Sequence, residues 1–425
     1  MAKEISKIVI IGAGFGGIEL AKALRNKPIE VLLIDQHNYH NFQPLMYQVA
    51  TGGLEPGSIA YPVRRIFRRN KNVTFRMAEV QEVVPTENKL LTSIGEIRYD
   101  YLVIATGSQN NFFNFEPVKD QLLTLKSIPE ALNLRSFIFQ NLEKALTNTG
   151  DEPLEEIMNI AIVGGGPAGI ELAGALAEMK RYVLPKDFPE LDLSKMSINL
   201  YEASPKLLAA MSEEASAKSL VYLQQLGINV FLNARVQSYD GSKIALEDNT
   251  SFRTDTVIWT AGVKGAPIKG LPQSAIIGGN RIAVNEYNQV IAAERIFAIG
   301  DVAAHVTPEE PKGLPMLAPV AQQHGKLLAK NIIQLTKDRP MKAFDYSDKG
   351  VMATIGRRKA VVDLKVWKFQ GTFAWLVWMF VHIMSLVGFR NKIVAFFDWM
   401  VNYFTYDRPL GLIIRPYRRE NKPLD

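Results

Sequence analysis

Two copies of one glycine-rich pattern and a tail unlike either predict an α/β chain. It should hold two Rossmann-like dinucleotide-binding domains and a C-terminal helical, membrane-associating region. The first copy runs from Lys7 to Asp35. Ile8 to Ile11 are all β-branched and read as a parallel strand buried on both faces. Gly12, Gly14 and Gly17 follow as G-x-G-x-x-G and lead into a helix through Leu24. These glycines allow a tight turn, close backbone approach to a pyrophosphate and close helix–strand packing. The helix N-terminus adds free N–H groups and a positive dipole end. The next strand, Glu30 to Asp35, ends in an acid placed to accept hydrogen bonds from an adenosine ribose. Strand, glycines, helix, strand and acid in that order are far more specific than the glycines alone.

The second copy begins after a composition shift at 150–153. Gly164, Gly166 and Gly169 fill the three glycine positions, a helix runs through Glu178, and the strand from Ser197 ends at Glu202. An extra segment, Lys180 to Lys195, delays that acid. A carboxylate at Glu202 accepts from a ribose 2′-hydroxyl and repels a 2′-phosphate, which favours NADH over NADPH. Strands ending in Ala105-Thr106-Gly107 and at Gly262 echo one another and add cofactor-contact candidates. Two dinucleotide folds call for two dinucleotides, most economically a tightly held FAD and an exchangeable NADH. The chain then returns to the first domain through Glu294 to Asp301, where Gly300 and Asp301 are further cofactor-contact candidates and Asp301 is expected to reach the flavin's ribityl or pyrophosphate region. A helix follows from Met316 to Leu335, with Pro319 in its first turn.

The domain limits are thus 1–115 with 290–340 for FAD, 116–289 for NADH including a helix at Ile128–Leu146, and 341–425 for the tail. Between the motifs, Ser58 to Lys71 reads as a helix whose arginines, Arg64, Arg65, Arg68 and Arg69, form a solvated face. Val73 to Val84 and Lys89 to Tyr99 read as antiparallel strands.

Composition narrows the chemistry. The 425 residues include no cysteine, which excludes disulfides, iron–sulfur clusters, thiolate zinc sites and any redox-active thiol pair. Five scattered histidines argue against a metal site. The net charge of +6 is concentrated in the tail, where fourteen Lys and Arg face seven Asp and Glu after residue 340. That distribution points to a local anionic partner and away from nucleic acid. No secretory signal is visible before the first strand, so the body is expected in the cytoplasm.

The stretches His40 to Thr51, Gly164 to Glu171, Ile296 to Asp301 and Ala318 to Gly325 together resemble the type II NADH dehydrogenases, which are non-pumping NADH:quinone oxidoreductases. The resemblance spans essentially the whole chain. It implies FAD in the first fold, NADH in the second, and a membrane quinone, ubiquinone or menaquinone, as acceptor. It also implies a peripheral enzyme on the cytoplasmic face of the cell membrane, and a homodimer. Glu171 is the implied proton relay, its bland alternative being a residue that complements the helix dipole. Gln323 is the implied quinone-site residue, although Pro319 stands where many members carry a further glutamine. Lys349 resembles the lysine that pairs with the relay glutamate. A sulfide:quinone reductase would need cysteines. A soluble reductase for ferredoxin or rubredoxin leaves the tail unexplained, and a redox-sensing membrane protein without turnover leaves two intact cofactor motifs unexplained.

Phe369 to Phe389 contains no charged residue, and its length approaches the ~20 residues of a membrane span. Trp375, Trp378, His382 and Ser385 nevertheless form a softer stripe on that rod. After Gly388, Ile393, Phe396, Phe397, Met400 and Phe404 form an apolar helical face opposite Asn391, Asp398, Asn402 and Thr405. Arg390, Lys392, Arg408, Arg415, Arg418 and Arg419 flank the pair. Helices lying in an interface with anionic lipids rank first, ahead of a dimer seam and a single span.

Overall fold

The computed structural model describes residues 6–148, 150, 153–308, 310–405 and 412–413, without the side chains of 402–405. Arg408, Arg415, Arg418 and Arg419 lie outside the described residues, as do the side chains of Phe404, Asn402 and Thr405. The chain is mixed α/β, and its contacts divide it into two units. One comprises 1–41, 60–109 and 263–348; the other comprises 42–59, 110–262 and 349–425.

The first unit is built on a nine-stranded sheet. Its centre is parallel, with Lys7–Ile11 between Glu30–Asp35 and Tyr101–Ile104, and Val9 opposite both Leu32 and Leu102. These runs are apolar on both faces because both faces are covered. The helices Phe15–Leu24 and Ala318–Leu335 pack together on one side. Glycine sets their separation: a Cβ on Gly325 would lie 2.6 Å from the Gly16 carbonyl oxygen. Val73–Met77 extends this sheet in parallel beside Glu30–Asp35, so it does not form the expected antiparallel pair with the next segment. That pairing belongs to Val80–Val84, Lys89–Thr92 and Gly95–Arg98.

The expected Ser58–Lys71 helix is also corrected. Two short helices, Pro56–Ile59 and Val63–Phe67, flank the strand Ala60–Pro62, because Pro62 lacks the N–H a continuous helix needs. Arg64 is not simply solvated: its Nη1 donates to the Phe75 carbonyl at 3.2 Å, and its guanidinium lies over the Phe75 ring.

The second unit holds a four-stranded sheet in the order Asn229–Phe231, Ile198–Tyr201, Ile160–Val163, Thr256–Trp259, parallel throughout. The helix Ile128–Leu146 forms as expected and opens on a capping box between Ser127 and Glu130. The helix Pro167–Tyr182 follows the second glycine turn. A three-stranded antiparallel sheet, Val351–Thr354, Ala360–Asp363 and Lys368–Gln370, leads to the helices Thr372–Ser385 and Phe389–Thr405.

Those last two helices are built inside out. Trp378, Ala374, Asn391 and Ala395 are buried, while Phe373, Phe380 (65 % exposed), Phe389, Phe396 and Phe397 (52 %) face outward. Asp398 accepts a 3.4 Å hydrogen bond from the Ser58 hydroxyl, and the Trp399 indole N–H donates to Gln48 at 2.5 Å. The charge-free stretch is divided between a strand, a 14-residue helix and a turn. Among the described residues no helix is long and apolar enough to cross a membrane, which removes the single span.

Gly174 fixes how closely the Pro167–Tyr182 helix approaches the antiparallel sheet. A Cβ there would sit 2.9 Å from the Ile355 carbonyl carbon and 3.0 Å from Gly356 N. Gly174→Val should therefore destabilise the protein by about 1–3 kcal/mol. Thermal unfolding of the purified variant checks this, and an unchanged Tm contradicts the packing account.

Candidate functional site

The two glycine turns have the same local construction. Gly12 and Gly164 both have φ above +100°, where a side chain is strained. A Cβ on Gly12 would lie 2.2 Å from the Ala105 oxygen, and one on Gly164 would lie 2.7 Å from Ala261 Cα. Gly17 and Gly169 pass so close to the first glycine's carbonyl that a Cβ would lie 1.9 Å from it in each turn. The middle glycines differ. At Gly14 and Gly166 a Cβ would meet nothing within 4 Å, and neither helix start has a side-chain cap. Each turn thus offers open space beside uncapped helical N–H groups, which fits a pyrophosphate.

The terminal acids brace these turns. Asp35 accepts from Ala13 N–H and His37 N–H, both at 2.7 Å. Glu202 accepts from Gly165 N–H at 2.6 Å, Ser204 N–H at 2.7 Å, and the Ser204 hydroxyl. A carboxylate has about four lone-pair sites, so each acid retains acceptor capacity for a ribose hydroxyl. Lys206 is turned to Glu213, at 2.5 Å.

Other cofactor candidates occupy strand ends. Ala105 closes over Gly12, and the Thr106 hydroxyl donates to the Ala266 carbonyl at 2.6 Å. Gly107 and Gly300 both take φ of +73°. Asp301 accepts from the Ser108 hydroxyl at 2.6 Å, and Gly300 N–H donates to His324 Nδ1 at 3.2 Å. Burial pushes His324 down to about 3, so its ring is a neutral acceptor. A Cβ on Gly262 would meet the Phe113 ring at 3.0 Å.

Within the second unit a cavity of about 80 Å³ opens around Glu171. Glu171, Ala175 and Glu178 of the Pro167–Tyr182 helix form one wall, and Thr354, Gly356 and Arg357 a second. Tyr47 to Gly53 and the side chains of Trp375, Trp378, Met379 and Trp399 close it. Burial pushes the Glu171 carboxyl up to about 8, against the opposing effects of the Thr354 N–H, at 3.4 Å, and the Trp378 indole. The Trp378 Nε1–H is itself buried beside that carboxyl. The cavity therefore presents a neutral carboxylic acid and a buried indole N–H donor side by side.

The expected site residues have different local surroundings. Glu171 lines the cavity. Lys349 is exposed, and the Glu171 carboxyl has Thr354 and Trp378 as partners. Gln323 spends its amide on Ser347, donating to its carbonyl at 2.9 Å and accepting from its N–H at 3.0 Å. Sequence reasoning missed Gln48, Thr354, Arg357 and Trp399 as cavity residues. Gln48 was within reach, since it lies in the His40–Thr51 stretch that carries the family resemblance.

The profile of the pyridine nucleotide-disulphide oxidoreductase family matches residues 6–325, and that of the NDH2 C-terminal domain matches 349–406. The type II NADH:quinone oxidoreductase NdhA of Mycobacterium tuberculosis is 34 % identical over 414 residues, covering 93 % of this chain and 87 % of its own. The type II NADH:quinone oxidoreductase Ndh of the same organism is 31 % identical over 417 residues, covering 95 % and 89 %. Among solved structures, NDH2 from Plasmodium falciparum in complex with NADH superposes with a TM-score of 0.86. It is 22 % identical and covers 95 % of this chain and 99 % of its own. The sulfide:quinone oxidoreductase of Aquifex aeolicus gives a TM-score of 0.72 at 20 % identity, covering 94 % and 95 %. These structural likenesses, at such identities, concern the fold. The disulphide of the family's description has no counterpart in a chain without cysteine.

Proposed function

Because the chain belongs to the type II NADH:quinone oxidoreductases, within the pyridine nucleotide-disulphide oxidoreductase family, we propose that the Glu171 cavity is where it reduces the quinone head group. The enzyme oxidises NADH and reduces a quinone with FAD as its cofactor. FAD, when bound, supplies hydride acceptance from NADH and delivery of two electrons to the quinone. The chain's residues supply position, charge and protons.

In this reading the turn at Gly12, Gly14 and Gly17 holds the FAD pyrophosphate, and Asp35 takes a ribose hydroxyl. Ala105, Thr106, Gly107, Gly300 and Asp301 complete the FAD site. Gly164, Gly166, Gly169 and Gly262 serve NADH in the same way, with Glu202 accepting its 2′-hydroxyl. The observation that carries the quinone assignment is the pairing at the cavity wall. A quinone oxygen needs hydrogen-bond donors while it gains electrons and then a proton. Trp378 Nε1–H is a buried donor beside the Glu171 carboxyl, and Glu171 is a buried acid that keeps its proton at neutral pH. Three of the chain's five tryptophans line the cavity and offer faces on which a quinone ring, of ubiquinone or menaquinone, can stack. Gln323 acts by holding Ser347, two residues before Lys349. It positions that segment.

The inside-out helices support a peripheral seat on a membrane, with the cytoplasmic face as the side expected from the sequence. An apolar surface of this extent marks an interaction site, and Arg390 and Lys392 beside it suit anionic lipid headgroups. A homodimer seam would use the same faces. Lipid is favoured because the acceptor is dissolved there.

Two outcomes test this reading. Glu171→Gln should slow flavin reoxidation by quinone by about 10²-fold while flavin reduction by NADH changes little. In the wild type that quinone step should fall as pH rises through about 8, because the acid loses its proton, and the variant should lose this dependence. Anaerobic stopped-flow absorbance separates the two steps, and equal slowing of both would sink the assignment. Glu202→Gln should narrow the preference for NADH over NADPH, read as the ratio of kcat/KM values. An unchanged ratio would mean that another group sets the choice.

A further inference from the structure

The cavity wall carries a second acid that the quinone assignment leaves without a task. Glu171, Ala175 and Glu178 follow at i, i+4 and i+7, so they share one stripe of the Pro167–Tyr182 helix. The two carboxyl groups are separated by about 10 Å of helix axis. Ala175, with its small methyl side chain, lies between them on that stripe. Glu178 is held at its end by a built contact. Its Oε1 accepts from the Arg357 N–H at 2.5 Å, and Gly356, at φ +91°, leaves the space in which the carboxylate lies. A Cβ on Gly356 would sit 2.8 Å from that oxygen.

The charged surroundings of the two acids differ. Arg357 lines the cavity beside Glu178, and Lys359 and Arg181 lie close by. Lys359 stands over the ring of Tyr222, from the helix Glu213–Gln225, as does Lys218. Glu171 instead meets Thr354 and Trp378, with His382 stacked on the far side of that indole and neutral at a value of about 4. The remaining wall of Trp375, Met379 and Trp399 carries no ionisable group.

Reducing a quinone consumes two protons, and Glu171 holds one. Among the described residues lining the cavity, Glu178 is the other carboxyl group. We infer that Glu178 is the proton-entry residue of the quinone cavity, reloading Glu171 from bulk water across the gap that Ala175 leaves open. This rests on the quinone reading above. In each transfer the Glu171 O–H bond breaks as a new O–H bond forms on a quinone oxygen. The carboxylate left behind takes a proton from cavity water, which is replenished through Glu178. The hydride from NADH brings two electrons and one proton, so one such transfer per turnover completes the quinol. The cavity of about 80 Å³ has room for several waters, each needing roughly 10–15 Å³.

The test uses full-length, FAD-loaded enzyme in lipid nanodiscs, reduced anaerobically with NADH and mixed with a short-chain ubiquinone analogue or with ferricyanide. Ferricyanide takes electrons and no proton. Glu178→Gln keeps an oxygen for the Arg357 N–H. It should slow reoxidation by quinone about tenfold or more at pH above neutrality, and leave the ferricyanide step within about twofold. Added formate, a small proton carrier, should restore most of the quinone rate. If Glu178→Gln fails to retain FAD, Ala175→Leu, which fills the gap and keeps both acids, should produce the same split. Equal slowing with both acceptors, or no effect on the quinone step at any pH, overturns the inference. A quinone step impaired in Glu171→Gln but intact in Glu178→Gln overturns it while leaving the quinone assignment standing. A wild type that reduces ferricyanide and no quinone analogue overturns both.

Discussion

The burial of one carboxyl group constrains the second unit. Glu171 sits at the start of the helix that follows the second glycine turn, where its charge would be cheapest near a solvated helix end. Its surroundings are instead apolar, and the proton stays on up to about 8. The unfolded chain would release that proton near 4.5. The native state therefore binds one more proton between those values, and this group's contribution to stability is lost as pH rises through that window. A fold that retains such an arrangement gains a neutral acid at the wall of a cavity.

The rest of the second unit follows from enclosing that acid. Gly174 lets the helix approach residues 354–356 closely enough to place Thr354 N–H against the carboxyl. The two C-terminal helices turn Trp378, Trp399 and Asp398 inward and leave their phenylalanines outside. An ordinary surface helix does the reverse, because apolar area is driven from water. The inversion fits the membrane seat proposed above: the cavity takes the tryptophans and polar groups, and the phenylalanines are left for the lipid.

The glycine turns and their acids were legible because their chemistry is local. A strand, three glycines and an acid constrain one another within some thirty residues, and Asp35 and Glu202 brace the turns they were matched to. The cavity was less legible because its walls come from four separated stretches, at 47–53, 171–178, 354–357 and 375–399. Glu171 was named through resemblance, while its partners Thr354 and Trp378 have no motif to mark them. Lys349 and Gln323 were matched by motif too, yet Lys349 stands exposed and Gln323 is committed to Ser347. The Ser58–Lys71 helix failed at Pro62, where a missing N–H outweighed an otherwise helical charge pattern. The apolar run of the tail has the length of a span, but the turns on either side of Thr372–Ser385 cut it short.

The central claim is that Glu171 is a protonated acid within the quinone cavity at neutral pH. Infrared difference spectroscopy of the full-length enzyme, recorded across pH and compared with Glu171→Gln, observes that proton directly. The account predicts a carboxylic-acid carbonyl band at pH 7 that is absent from the variant, disappears on titration through about 8, and shifts when a quinone analogue binds. A carboxylate signature for Glu171 already present at pH 6, or a band indifferent to quinone, would contradict it.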